Sequence, residues 1–482
     1  MDQVTVAVGA ALPLTLTSHP LQRSGAWAVT VLAGRDTPEG VSVEDLEDVA
    51  DRLVADVCAA AASSRQAVEY DWWKVLFALF PNSKATHNSR PRDRAALQPA
   101  ISQLFAPDDT DDTDESDDTG VWPCTFCGVP SSVVWTKMVL PMFDTDKAIN
   151  TLPPGVPGWP VCRGCRVAMW ALPYGAWVTA GSATVLTCEE PAVERAFVTR
   201  NVRRARRIAQ VGFDGLPATA GPEHVVAVAL RQLAPELPAT AVLWSFKNDN
   251  QDPWLRVSRT RRATARFLSM VGARAPLRAG WSLLEQALTA RDKDGQVVAD
   301  GRQGAARSLF EAEDGSSRPF LTRIHHLLVA PARRWLPYEL GALATLGSTY
   351  AEEVLGMEPR LASVATLLVD WIEHGSASPR GRFAEYRAVA LKPYQLGQLL
   401  MQAQSRLMLD GRAAPAGPED CAALISTGPR SWEQRMLLFF SVTELLVRRG
   451  VSIGGGADPD DEERIKQLVE QPILESDEED AA

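Results

Sequence analysis

Histidine is scarce here: six occur in 482 residues, and none lies between His87 and His224. A zinc-loop nuclease of the His-Asn-His type needs a catalytic histidine inside or just ahead of its metal loop, so that chemistry is excluded from this interval. The Gly-x-x-x-x-Gly-Lys-Ser/Thr phosphate loop, the His-Glu-x-x-His helix and the Gly-x-Ser-x-Gly elbow are missing too. With no catalytic constellation to build on, a binding and scaffolding protein is expected rather than an enzyme. No apolar run reaches the roughly 18 residues of a membrane span, and Met1 to Leu16 alternates like a strand (Val4, Val6, Val8) without a basic start. The expected location is the cytoplasm.

Cysteine is also sparse, seven in all, an odd number that cannot be fully paired. Four of the seven form two Cys-x-x-Cys pairs, Cys124/Cys127 and Cys162/Cys165, separated by 34 residues. A two-residue gap lets one tight turn aim both sulfurs at the same ion, and two such turns supply the four soft ligands of a tetrahedral zinc. Four thiolates leave zinc no open position for water, so the expected Zn2+ is structural. Two disulfides or four free thiols are the alternatives; Cys58, Cys188 and Cys421, scattered in apolar or loop contexts, are cytosolic usage and weaken the first.

The net charge is −11, which taken alone argues against a nucleic-acid partner. The acid is concentrated, however: eight residues in Asp108 to Asp118, five in Asp458 to Glu463 and five in Glu475 to Asp480. Setting those 18 charges aside leaves +7 on the rest of the chain. Arg200 to Arg278 carries 14 Lys or Arg against five Asp or Glu. Arg200, Arg203, Arg204 and Arg207 share one face of a helix at 100° per residue, and Arg256, Arg259, Arg261 and Arg262 follow the polar loop Lys247 to Asp252. Arginine forks suit bidentate phosphate contacts; a solvated face with distant carboxylate partners is the alternative. The loop Asn82-Ser83-Lys84 and the loop at Asn248 are polar and restricted enough to reach base edges, although turn chemistry explains their asparagines equally well.

The expected fold class is α+β: a mixed N-terminal domain with an embedded four-cysteine zinc finger, then an all-α C-terminal helical bundle. The expected divisions are an α/β part (1–105), an acidic disordered insertion (106–121), the zinc module (122–175), the remainder of the N-terminal domain with the basic clusters (176–315), the bundle (316–454) and an acidic tail (455–482). Ser18 to Gly25 reads as a turn feeding an apolar helix, Ala26 to Leu32. Ser42, with Asp45 three residues on and Leu46, Val49, Leu53, Val54 and Val57 at helical spacing, reads as the N-cap of an amphipathic helix. A helix around Trp72 to Leu79 should end at Phe80-Pro81, and Pro173-Tyr174-Gly175 should end the apolar run after Cys165. His325 and His326, without metal-ligand spacing, read as packing or surface residues.

Ser18-His19-Pro20-Leu21-Gln22-Arg23-Ser24-Gly25, Asp36-Thr37-Pro38-Glu39 with the Ser42 helix, Phe80-Pro81-Asn82-Ser83, Cys162-Arg163-Gly164-Cys165, Leu172-Pro173-Tyr174-Gly175 and Trp244-Ser245-Phe246-Lys247-Asn248 come in an order that resembles one family. It is the zinc-finger-bearing large subunit of type I-B (Cst-type) CRISPR Cascade complexes. The resemblance covers roughly the first 260 residues, with helical character alone beyond. The family's upstream turn commonly reads Asn-Pro-Phe-x-Asp-x-Gly, whereas His19 and Arg23 stand here in place of the Asn and the Asp. The resemblance implies a non-catalytic subunit that helps recognise the short motif beside the target (the PAM), opens the duplex and recruits a helicase-nuclease in antiviral defence. Its implied partners are CRISPR RNA, target double-stranded DNA and the backbone, 5′-handle and small subunits of the complex. The alternative is a stand-alone zinc-containing DNA-binding regulator or restriction-system protein.

Overall fold

The computed structural model describes residues 13–108, 121–136, 138–141, 158–216, 221–233, 238–248, 253–312, 319–329, 335–357, 361–374, 378–413, 415–428 and 430–453. The Val4 to Val8 strand, the acidic stretch beyond Asp108 and the acidic tail lie outside them. The protein is mixed α/β, with 17 helices among the described residues. Two compact units form, one of Met1–Ala229 with Ala241–Arg259, the other of Leu230–Thr240 with Thr260–Ala482. No described helix is long and apolar enough to cross a membrane.

The first unit is organised on α1 (Pro20–Leu32) and α5 (Arg163–Gly175). Both are longer than their sequences suggest, and for one reason. Gly25 and Gly175 do not end helices; they let two helix backbones touch. A Cβ at Gly25 would sit 1.8 Å from Ala168 O, and one at Gly175 would sit 2.5 Å from Ser24 O. Pro20 occupies the first turn of α1, where its missing N–H costs nothing. Pro173 falls inside the last turn of α5, where burial of every side chain from Gly164 to Gly175 outweighs one lost backbone bond.

Around this pair lie α2 (Val43–Ala62), α3 (Glu69–Leu79) and α4 (Arg94–Ser102). The Ser42–Asp45 capping box forms as expected, each side chain bonding the other's backbone N–H at 3.1 and 2.9 Å. Leu46, Val49, Leu53, Val54 and Val57 are buried on the inner face of α2. Two short hairpins follow, β1 (Trp122–Pro123) with β2 (Pro130–Ser131), and β3 (Val134–Trp135) with β4 (Trp159–Pro160). Beyond α5, strands β5 (Trp177–Val178), β6 (Ala183–Cys188), β7 (Ala241–Lys247) and β8 (Trp254–Arg259) run antiparallel, with Val185 opposite Trp244 and Trp244 opposite Val257. Helix α6 (Pro191–Val211) buries Val193, Phe197, Val198, Val202 and Ile208, and α7 (Pro222–Arg231) follows it.

The second unit is helical but begins earlier than residue 316. Helices α8 (Thr264–Ala273), α9 (Ala275–Leu288) and α10 (Gly301–Arg307) belong to it, as does a small hairpin of Ala290–Arg291 with Val297–Ala299. Aromatic packing explains the shift. Phe267 of α8 meets Phe320 and Tyr350 edge-on at 5.6 and 5.3 Å, and Gly280 of α9 lies against Ala342 O. These partners sit on α11 (Pro319–Val329) and α12 (Pro337–Glu353). Helices α13 (Ala362–His374), α14 (Pro379–Val389), α15 (Pro393–Leu409), α16 (Pro418–Ile425) and α17 (Ser431–Arg448) complete the unit.

Candidate functional site

The two cysteine pairs come together. Cys124 and Cys127 ride the turn between β1 and β2, closed by Gly128 N–H to Cys124 O at 2.9 Å and by Cys124 N–H to Val129 O at 2.8 Å. Gly128 has φ +79°, which a side chain would oppose. Cys162 is the N-cap of α5 and Cys165 lies in its first turn. Thr125 N–H to Pro160 O and Val161 N–H to Val133 O, both 2.9 Å, clamp the two pairs together.

All four sulfurs lie within 4.8 Å of one another, and Cys127 Sγ is 3.4 Å from Cys162 Sγ. Zinc–sulfur bonds of about 2.3 Å in a tetrahedron put the sulfurs about 3.8 Å apart, so the cluster is compatible with a zinc site. Crowding alone splits the thiols: hydrogen bonds from Cys127, Cys162 and Cys165 hold the Cys124 thiol down, while Cys124, Cys127 and Cys162 push Cys165 up. Ionised together, four sulfurs this close would need a cation between them. The positive end of α5 favours them further.

A second ring of contacts steadies the cluster. Gln22, fully buried on α1, sends Nε2 to Cys165 Sγ at 3.6 Å and to Thr15 O at 2.8 Å, while its Oε1 accepts from Thr17. The His19 ring packs edge-on against Phe126, inside the first Cys-x-x-Cys, at 5.1 Å. Arg23 pairs with buried Glu194 at 2.7 Å; Glu194 also accepts from Trp27 Nε1 and Cys188 N–H. Asp108 accepts from Arg166 Nη2 and Arg163 N–H at 3.0 Å and from Ser131 Oγ at 3.1 Å. The first acid of the stretch expected to be a solvated insertion is therefore built into the cysteine module.

The basic helix is α6. Arg200, Arg203 and Arg207 are exposed, as is Arg206, but Arg204 turns inward. It stands between the buried positions 201, 205 and 208, and its guanidinium lies 4.5 Å over the Trp177 ring with Nε and Nη1 buried and unbonded. Burial lowers its pKa from the ordinary arginine value. The second cluster is divided. Arg256, stacked 5.0 Å over Trp254, and Arg259 are exposed on β8 in the first unit. Arg261 and Arg262 belong to the second unit, and Arg261 is an ion-pair residue, with Nε 2.9 Å from Glu311. Burial works against its charge, but Glu311, with smaller contributions from Tyr350 and Glu433, more than compensates and raises its pKa. Its fork is committed to protein, not phosphate. Arg262 is exposed.

The loop at Asn248 meets the end of α3, just ahead of Asn82-Ser83-Lys84: Asn248 Nδ2 donates to Leu79 O at 3.0 Å. Asn248 thus has a structural tie as a helix cap. Ser83 is 1 % exposed and bonds Thr86 Oγ1 at 2.9 Å, so it faces inward and is not a base-edge contact; Asn82 is half-buried and Lys84 exposed. Sequence reasoning missed Asp108, Gln22, Arg166 and an aromatic column on α3. The column's signal, Tyr70, Trp73 and Phe77 at three- and four-residue spacing, was available in the sequence.

In the second unit, His325 is buried against Phe439 at 5.0 Å and His326 is exposed, packing and surface residues as expected. Asp370, Glu373 and His374 also cluster, but Arg449 pairs with both carboxylates. Compared with known proteins, the chain matches no family model, no curated protein and no solved structure.

Proposed function

We propose that this chain is the non-catalytic large subunit of a type I-B RNA-guided CRISPR interference complex, with a structural zinc ion held by Cys124, Cys127, Cys162 and Cys165. One observation supports the reading above others: the segments that carry the resemblance are packed on one another. Gln22 and His19 of the first touch the cysteine pairs. Phe80 lies flat on Trp170 of α5, 4.3 Å away and 6° from parallel. Gly175, which closes the Leu-Pro-Tyr-Gly segment, backs onto Ser24, and Asn248 caps the helix that leads into Phe80-Pro81-Asn82-Ser83.

In this reading zinc supplies rigidity, not chemistry, since four thiolates leave it no open position. The exposed guanidinium groups of Arg200, Arg203, Arg207, Arg256 and Arg259 bind nucleic-acid phosphates. Lys84, with Asn82 beside it, faces the target near its adjacent motif. CRISPR RNA, target duplex, the other Cascade subunits and a recruited helicase-nuclease are the partners. Purifying the tagged full chain from its native cells tests this: guide RNA with repeat-derived ends and backbone subunits in fixed ratio should accompany it. A chain that arrives alone and RNA-free, yet binds duplex DNA, would be the stand-alone regulator instead.

A further inference from the structure

Phe77 is 41 % exposed. Single exposed apolar side chains are ordinary and need no function. What sets this one apart is what lies beneath and beside it. Its ring stacks on Trp73 at 5.3 Å and 27°, and Trp73 stacks on Tyr70 at 4.9 Å and 17°. Trp73 is itself held on both its polar edge and its π-system: Nε1 donates to Ala85 O at 3.2 Å, and the Arg90 guanidinium lies 4.2 Å from the ring. Arg90 is in turn fixed by Nε to Ala61 O at 2.9 Å. The column is rigid, and it ends in an aromatic surface open to solvent.

The segment that carries the column is rich in cations. Residues 63–94 hold six Lys or Arg against three Asp or Glu. Lys84 is exposed and adjoins Ala85, the residue to which Trp73 is bonded, so it shares the neighbourhood of the column. An exposed ring on a fixed stack, with the exposed Lys84 in the same neighbourhood, fits one ligand class above others: an unpaired nucleobase, its ring on the aromatic face and its flanking phosphate on the ammonium.

We infer that Phe77, on the Tyr70–Trp73–Phe77 column, is a stacking platform for an unpaired base of a nucleic-acid strand, with Lys84 on the flanking phosphate. This rests on the nucleic-acid reading above and adds to it the state of the strand: single, with a base out of its helix. The base can come from DNA or from RNA, since both present the same π-face.

The test uses the full chain with 12-nucleotide oligomers of thymidine or uridine carrying one central 2-aminopurine, and a blunt DNA duplex as the comparison. Binding of one of the single strands should quench the 2-aminopurine, and the strand that shows it, DNA or RNA, identifies the source. Phe77→Leu should abolish the quenching and weaken that strand about tenfold, within the range for loss of one base–aromatic stack. Phe77→Trp should retain both, and duplex affinity should not change in either variant. If Phe77→Leu leaves quenching and single-strand affinity intact while the chain still binds nucleic acid, the platform is wrong and the broader reading stands. Loss in Phe77→Trp equal to that in Phe77→Leu would make the position structural and also overturn it. If the wild-type chain binds none of the three at low salt, both readings fail together.

Discussion

Arg166 and Asp108 form an ion pair at 3.0 Å in which the arginine side chain is 1 % exposed and the aspartate 14 %. Arg166 also donates from Nη1 to Leu104 O and from Nη2 to Ala106 O, both at 2.8 Å. The pair thus anchors the chain that enters the cysteine module to the helix that leaves it.

Removing one partner strands the other charge without water, a change that typically costs about 3–5 kcal/mol. Asp108→Ala should therefore destabilise the first unit by roughly that amount. Asp36→Ala, at an exposed pair with Arg195, should stay within about 0.5 kcal/mol of wild type. Urea denaturation of the two variants in the presence of zinc measures the difference. Equal midpoints would show that Arg166 finds another partner.

The cysteine cluster should carry one zinc per chain, and Cys162→Ser should remove it. Structural zinc supplies about 10 kcal/mol or more of folding free energy in small sites. Loss of the ion should unfold the β1–β4 hairpins and loosen the seat of α5, whose N-cap is Cys162. Metal analysis of the purified chain, then circular dichroism with and without a strong chelator, reads both effects. A folded chain with unaltered thermal stability after complete chelation would mean that the second ring of contacts suffices.

How much of this was legible depended on how local the cause is. The Ser42–Asp45 capping box and the Cys-x-x-Cys turns need only residues three apart, and both were readable. Gly25 and Gly175 looked like helix breakers because their reason, contact with Ala168 O and Ser24 O, lies on another helix. Arg204 looked like a member of a basic stripe because helical spacing does not say which edge of a stripe Trp177 will cover. Arg166–Asp108 and Arg23–Glu194 join residues 58 and 171 positions apart, and no spacing rule reaches that far. The boundary near residue 260 was hidden likewise, since it follows from Phe267 meeting Phe320 and Tyr350.

His325 makes the second unit sensitive to acid. Burial, with smaller contributions from His326 and Arg387, lowers its pKa to about 3, and neither ring nitrogen has a hydrogen-bond partner. In the unfolded chain it titrates near 6.5. Its contribution is thus complete above about pH 6.5 and declines as pH falls toward 3, by about 1.4 kcal/mol per pH unit. At pH 5 the loss is about 2 kcal/mol. His325→Leu should flatten stability between pH 6.5 and 5, whereas His326→Ala, at an exposed position, should leave the slope as it is. Denaturation midpoints at the two pH values decide it.

The arginines of α6 should separate into two kinds. Arg203 and Arg207 are exposed and face solvent, so Arg203→Ala with Arg207→Ala should weaken nucleic-acid binding evenly across sequences. Each phosphate contact contributes about 0.7–0.9 to the slope of log K against log salt, so the double variant should shallow it by about 1.5. Arg204→Ala should act otherwise: removing a guanidinium from the Trp177 face costs packing, and the change should appear in stability before it appears in the salt slope. Arg261→Ala should leave the slope unchanged, because its fork is bound to Glu311. Titrations over a range of salt, set beside denaturation curves for the same variants, distinguish a phosphate contact from a packed or paired arginine. A slope unmoved by the double variant would return the outer face of α6 to solvation alone.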